Sequence, residues 1–141
     1  MISIPQYIIK AIIEQAQNEL PNEACGLLTG KERKVEKRYA LTNVDHSPEH
    51  FSFSPAEQFQ VVRSARQEGL EIIANYHSHP ETPARPSEED IRLAYDPNIF
   101  YLIVSLAGEL PTVKAFQIQG GKSTEVEIKK TSDLPEGEET I

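Results

Sequence analysis

Apolar residues recur at Ile8, Ile9, Ile12, Ile13, Ala16 and Leu20, a spacing of three and four that gathers them on one side of a helix. Pro5 is tolerated in the first turn of such a helix, and Pro21-Asn22 ends it. Beyond this point the period shortens. Residues 24–29 form an apolar run closed by Gly30, and Val35, Tyr39 and Leu41 alternate with polar residues. This pattern predicts a hairpin turning over residues 30–33. Residues 31–38 carry five basic and two acidic side chains and read as a solvated turn and edge strand.

Residues 43–53 are rich in Asp, His, Ser, Pro and Asn and read as a loop. Ser54-Pro55-Ala56-Glu57 then supplies a capping box with proline at the first helical position. The helix it opens is expected to bury Ala56, Phe59, Val62 and Ala65 and to stop at Gly69. A buried strand follows over 70–76, a third helix over 88–95 ending before Pro97, and the most strand-like run of the chain over 99–106. Shorter strands are expected at 112–118 and 124–128, separated by Gly120-Gly121. Strand, helix and strand between 70 and 106 make a βαβ unit, with a right-handed crossover and parallel strands. The expected fold is therefore α/β, a mixed β-sheet flanked by helices. Ligands of such sheets gather beyond the carboxyl ends of parallel strands, here the stretch beginning at His77.

The chain of 141 residues has the size of one domain, expected over 1–130. Its last ten residues hold four acids and no base, so 131–141 read as a mobile acidic tail. Lys and Arg number 14 against 22 Asp and Glu, a net charge of −8 that repels phosphate backbones and anionic headgroups. Neither nucleic acid nor membrane is an expected partner. Residues 1–14 lack a basic leader region and the apolar run 99–107 is far shorter than a membrane span, so a cytoplasmic location is expected. The single cysteine, Cys25, excludes an intramolecular disulfide and zinc sites built on paired cysteines, those of cytidine deaminases included. Any metal must sit on histidines and carboxylates.

His77-Ser78-His79-Pro80 meets that requirement. Residues two apart on a strand project from one face, so His77 and His79 can present two imidazoles to one ion without strain. Pro80, Pro83 and Pro86 force an extended excursion, and Asp90 in the first turn of the next helix can fold back as a carboxylate ligand. Two His and one carboxylate make an open tetrahedral zinc set with a fourth position for water, which predicts a hydrolase with one zinc per chain. Each feature also has a plainer reading. An isolated His-x-His is common, and Ser87-x-x-Asp90 suffices as a helix cap with its acid at the positive dipole end. The convergence of strand end, proline excursion and cap on one place favours the metal. Cys25 invites comparison with a thiol nucleophile paired with His77 or His79, but a buried core cysteine is the stronger reading. His46 and His50 read as solvent-exposed or at most substrate-contacting. Glu23, by its own surroundings, reads as a surface acid after the Pro21-Asn22 turn.

The run H-S-H-P-x6-S-x-x-D resembles the zinc signature of the JAMM (MPN+) metalloprotease family. Glu23-Ala24-Cys25-Gly26-Leu27-Leu28-Thr29-Gly30 resembles the upstream segment that carries that family's glutamate. The resemblance runs from the first helix to about Ile118, with no departure in the motif residues. It implies the cytidine-deaminase-like JAMM/MPN architecture, zinc on His77, His79 and Asp90, Glu23 as acid/base and Ser87 as a stabiliser of the tetrahedral oxyanion. It also implies a substrate, the amide bond after the C-terminal Gly-Gly of a ubiquitin-like protein. The family's eukaryotic deubiquitinases carry insertions, and one subgroup a second zinc held partly by cysteine, for which this chain has neither space nor residues. It is more similar to prokaryotic members that release cysteine or another adduct from a ubiquitin-like sulfur carrier. Two alternatives share the resemblance: a RadC-like DNA-associated protein, disfavoured by the acidic charge, and a metal-free MPN interaction module, disfavoured because every ligand type is present. The substrate tail is expected to bind extended, its diglycine end between Glu23 and Ser87 and the 43–53 loop forming part of its wall.

Overall fold

Ile8, Ile9, Ile12 and Ala16 are buried along one side of helix α1 (Gln6–Asn18), as their spacing predicts. The structure is a computed structural model that describes residues 1–132. A strand that the periodicity does not announce precedes α1: β1 (Ile2–Pro5), with Ile2 and Ile4 fully buried. Its alternation lasts only four residues before merging into the helical pattern, too short a window for the two periods to separate.

The expected hairpin is formed by β2 (Cys25–Lys31) and β3 (Lys34–Leu41). Glu32 and Arg33 both have positive φ, 51° and 71°, the two-residue turn whose twist matches antiparallel strands. β3 is not an edge strand, contrary to the expectation from its charge. It lies between β2 and β1, which pairs with it at Lys34. Helix α2 (Pro55–Gln67) also departs from the expected face: Val61 and Ala65 are buried, while Ala56 is exposed and Phe59 is 62% exposed beside Arg63. Both sets have helical spacing. Val61 packs with Cys25, Leu27 and Leu41, and that tertiary contact selects the face. The capping box is half made, because the Ser54 hydroxyl accepts the Glu57 N–H but the Glu57 carboxylate instead accepts bonds from Thr42 N (2.8 Å) and Oγ1 (2.9 Å).

β4 (Glu71–His79), α3 (Glu88–Leu93) and β5 (Phe100–Ser105) form the βαβ unit, with β4 and β5 parallel in register from Ala74↔Phe100 to His79↔Ser105. β6 (Thr112–Gln119) and β7 (Lys122–Val126) follow as an antiparallel pair. The expected strand at 124–128 is in fact broken at Glu127, where β8 (Ile128–Thr131) begins and pairs with β1 in parallel. The eight strands lie in the order β7-β6-β5-β4-β2-β3-β1-β8. The two outermost strands are thus separated by one residue of chain, so the sheet curls around α1, whose isoleucines pack against β1, β2, β4, β5 and β6. On the opposite face α2 covers Cys25, Leu27 and Leu41, and α3 borders Tyr101, Ile103 and Ile118. Thr131, read as the start of the tail, pairs with Pro5, and residues 133–141 lie outside the described residues. Among the described residues no helix is long and apolar enough to cross a membrane.

Candidate active site

β4 runs three residues beyond the expected strand end and carries both histidines in extended backbone. His77 and His79 therefore share one face and Ser78 turns to the other. The excursion after them is pinned rather than loose. His79 Nδ1 lies 2.9 Å from the Pro83 carbonyl, Ser105 Oγ donates to the Thr82 carbonyl (2.6 Å), and Leu106 N–H donates to the His79 carbonyl. Ser87 then caps α3 with a complete capping box: Asp90 N–H donates to Ser87 Oγ (3.0 Å) and Ser87 N–H to Asp90 Oδ2 (2.9 Å). Cap and triad share Asp90.

The three atoms His77 Nε2, His79 Nε2 and Asp90 Oδ2 are each 3.1 Å from the other two. Donors bonded to one ion at about 2.0–2.1 Å with near-tetrahedral angles lie about 3.3 Å apart, so the set fits a small divalent cation. The protonation pattern agrees. The Pro83 carbonyl can only accept, so His79 carries its proton on Nδ1 when neutral and offers a lone pair at Nε2. Burial would raise the Asp90 carboxyl, but the His77 and His79 rings, which donate to it when protonated at Nε2, and the Ser87 N–H hold it far below the usual carboxylate range. His77 is further fixed by Phe51, stacked on it at 4.7 Å between ring centroids.

Glu23 is not a surface acid. It is 4% exposed, and its Oε1 is buried without a hydrogen-bond partner. Its backbone is held from several sides: Glu23 N–H donates to the Ser47 carbonyl (2.8 Å), and Asn43 Nδ2 donates to the Glu23 carbonyl (3.0 Å). The next residue, Ala24, donates to Ser78 Oγ (2.7 Å) and accepts from Ser78 N–H (3.0 Å). Burial pushes the Glu23 carboxyl up to about 8; His79 pulls it down, and Asp90 and Glu89 raise it further. Glu23 thus feels the charges of His79 and Asp90.

Ser87 is exposed beside the triad, and because its oxygen accepts the cap bond, its O–H proton stays free to donate outward. Cys25 is opposite His77 in the sheet register, but it is fully buried and burial pushes its thiol up to about 12, leaving no thiolate. His46 and His50 are exposed, and His50 pairs with Asp45 at 3.1 Å. Reasoning from sequence gave no role to Ser78, Asn43 or Phe51. Ser78 lies inside the motif, between the two histidines. Asn43 opens the polar loop, and its side-chain oxygen accepts from Asp45 N–H and Ser52 N–H as its nitrogen donates to Glu23 and His50, so it organises the whole segment. Phe51 and Phe53 were the signal available for it, two aromatics in an otherwise polar stretch.

Residues 5–119 match the model of prokaryotic homologs of the JAB domain. The chain belongs to that family. Its mixed sheet and flanking helices are the JAMM/MPN architecture, and it is a JAMM-type hydrolase. Among JAB-domain relatives, the CysO-cysteine peptidase of Mycobacterium tuberculosis is 31% identical over 121 residues, covering 84% of this chain and 83% of its own. The desampylase of Pyrococcus furiosus is 35% identical over 106 residues, 75% of each chain. A solution structure of a protein from Desulfitobacterium hafniense matches 97% of each chain with a TM-score of 0.88 and 45% identity.

Proposed function

We propose that this JAB-domain hydrolase cleaves the amide bond after the C-terminal Gly-Gly of a ubiquitin-like carrier, releasing cysteine or another amine. The observation that carries the reading is the triad of ligand atoms at 3.1 Å coupled to the buried, unpartnered carboxyl of Glu23. The relatives named for cleaving such conjugates support the substrate class. His77, His79 and Asp90 would hold one zinc ion, which when bound acidifies a water molecule and polarises the scissile carbonyl.

Glu23 performs the proton transfers. Its Oε1 takes a proton from the attacking water and returns it to the departing amine, and a carboxyl whose proton affinity is raised by burial suits both directions near neutral pH. Ser87 donates its free O–H to the oxyanion that develops on the carbonyl. The 43–53 loop, organised by Asn43, walls the extended tail, and a wall close to the scissile bond would admit only residues without a Cβ there.

The test is to mix zinc-loaded protein with a ubiquitin-like carrier whose Gly-Gly end is amide-linked to cysteine and to read product masses. Free carrier and cysteine are expected, with activity lost on chelation, restored by zinc, and abolished when the terminal Gly is replaced by Val. Full activity in metal-free protein would sink the metal mechanism.

A further inference from the structure

The face of the sheet between α2 and α3 holds a cavity of about 400 Å³ whose lining includes two of the three triad residues. These are His77 and Asp90; Leu27, Ile72, Tyr101, Ile103 and Ile118 make its apolar walls, and Asn75 of β4 lies among them. Two glycines would leave this volume empty. We infer that the cavity receives the side chain of the tail residue immediately before Gly-Gly, and that it selects a bulky apolar side chain with a polar tip. The inference rests on the proposed cleavage after Gly-Gly and names what that cleavage requires upstream of the bond.

Three observations carry it. First, the lining includes His77 and Asp90 but neither Glu23 nor His79. The departing amine takes its proton from Glu23 and so leaves on that side, which puts the acyl half of the substrate over the cavity. Second, Asn75 precedes His77 by two positions on the same strand face, about 7 Å along β4, and two extended glycines span about the same length. The residue before them is therefore level with Asn75. Third, the Asn75 side-chain oxygen is buried without a hydrogen-bond partner, with Leu27 and Tyr101 opposite it on the two neighbouring strands. An occupant with a hydroxyl, which both donates and accepts, supplies the missing bond whichever way the amide lies. Glu89 and Asp96 on the same lining disfavour an acidic occupant.

The experiment compares carriers ending in Tyr-Gly-Gly, Phe-Gly-Gly, Gly-Gly-Gly and Asp-Gly-Gly, each amide-linked to cysteine, with the zinc-loaded wild-type enzyme and with Asn75→Leu. In the wild type, kcat/KM for Phe should exceed that for Gly and Asp by about tenfold or more. Tyr should exceed Phe by roughly threefold to tenfold, the worth of one hydrogen bond. Asn75→Leu should erase the advantage of Tyr over Phe and keep that of Phe over Gly; Asn75→Ala replaces it if the leucine variant does not fold. Equal kcat/KM on all four carriers would overturn the pocket and leave the proposed cleavage standing. A preference for Tyr over Phe that survives in both variants would overturn the role of Asn75. Cleavage of none of the four would overturn the proposed function and the pocket together.

Discussion

His77, His79 and Asp90 come together across thirteen positions of sequence, held by a strand end, a loop pinned at two carbonyls and a helix cap. Glu23 is brought in by the segment just before β2, and the bond that seats its neighbour Ala24 on Ser78 spans 54 positions. The triad proposed to hold the metal is one half of the centre and a local construction, whereas the placement of the other half, Glu23 as the proposed proton carrier, depends on the register of β2 against β4. Gly26 shows how tight that register is, since a Cβ there would meet the Tyr76 ring at 2.3 Å. Metal affinity and turnover should therefore come apart under mutation.

The sharpest separation is expected from a pair of variants. Asp90→Ala should lose both bound metal and activity, whereas Glu23→Gln should retain metal and fold while turnover falls ~100 to 10,000-fold. Elemental analysis beside steady-state rates reads the contrast, and metal retained in Asp90→Ala would erase it. A smaller effect is expected at the joint between the halves. Ser78→Ala removes the acceptor for Ala24 N–H, so turnover should drop roughly tenfold to a hundredfold with metal content unchanged. If Ser78 acts through Glu23, the same change should cost nothing further in the Glu23→Gln background. An equal loss in both backgrounds would place its action elsewhere.

The halves should also respond oppositely to pH. Protons and metal compete for His79 Nε2; burial lowers that imidazole's pKa, but bonds to Asp90 and the Pro83 carbonyl outweigh burial and raise it. Metal affinity should thus begin to fall on acidification at a higher pH than an ordinary histidine would dictate, as a competition titration with a zinc indicator can read. Glu23 works on folding with the other sign. Its carboxyl holds its proton to about 8 in the folded metal-free protein against an ordinary 4.5. The folded state is then favoured below pH 4.5, and that advantage is lost as pH rises toward 8. Denaturant melts of metal-free protein should show this slope, and Glu23→Gln should flatten it.

The same contrast governs what was legible in the sequence. The triad could be read because its spacing follows rules of local geometry: alternation along a strand for His77 and His79, and a cap for Ser87 and Asp90. Glu23 was readable only through resemblance, since nothing around Pro21-Asn22 says that Ala24 will be tied to Ser78 and bury its neighbour. Helix α2 repeats the lesson in the core. Its periodicity establishes a helix but not which side faces inward, and Val61 rather than Phe59 is buried because Leu27 and Leu41 happen to wait there. β8 escaped notice for want of apolar alternation: Ile128-Lys129-Lys130-Thr131 has one apolar residue, and its pairing depends on β1 at the far end of the chain.

That last pairing sets an order on biosynthesis. Residues 2–5 are made before the other described strands, but their parallel partners, 128–131, are made after all of them. The hairpin, the βαβ unit and the His-His-Asp triad can form on the nascent chain while Ile2 and Ile4 still lack that partner strand, so the slow, long-range step of folding is postponed until β8 has been made. Until then the incomplete sheet edge is open to other chains, and a holdase gripping β1 would guard the interval.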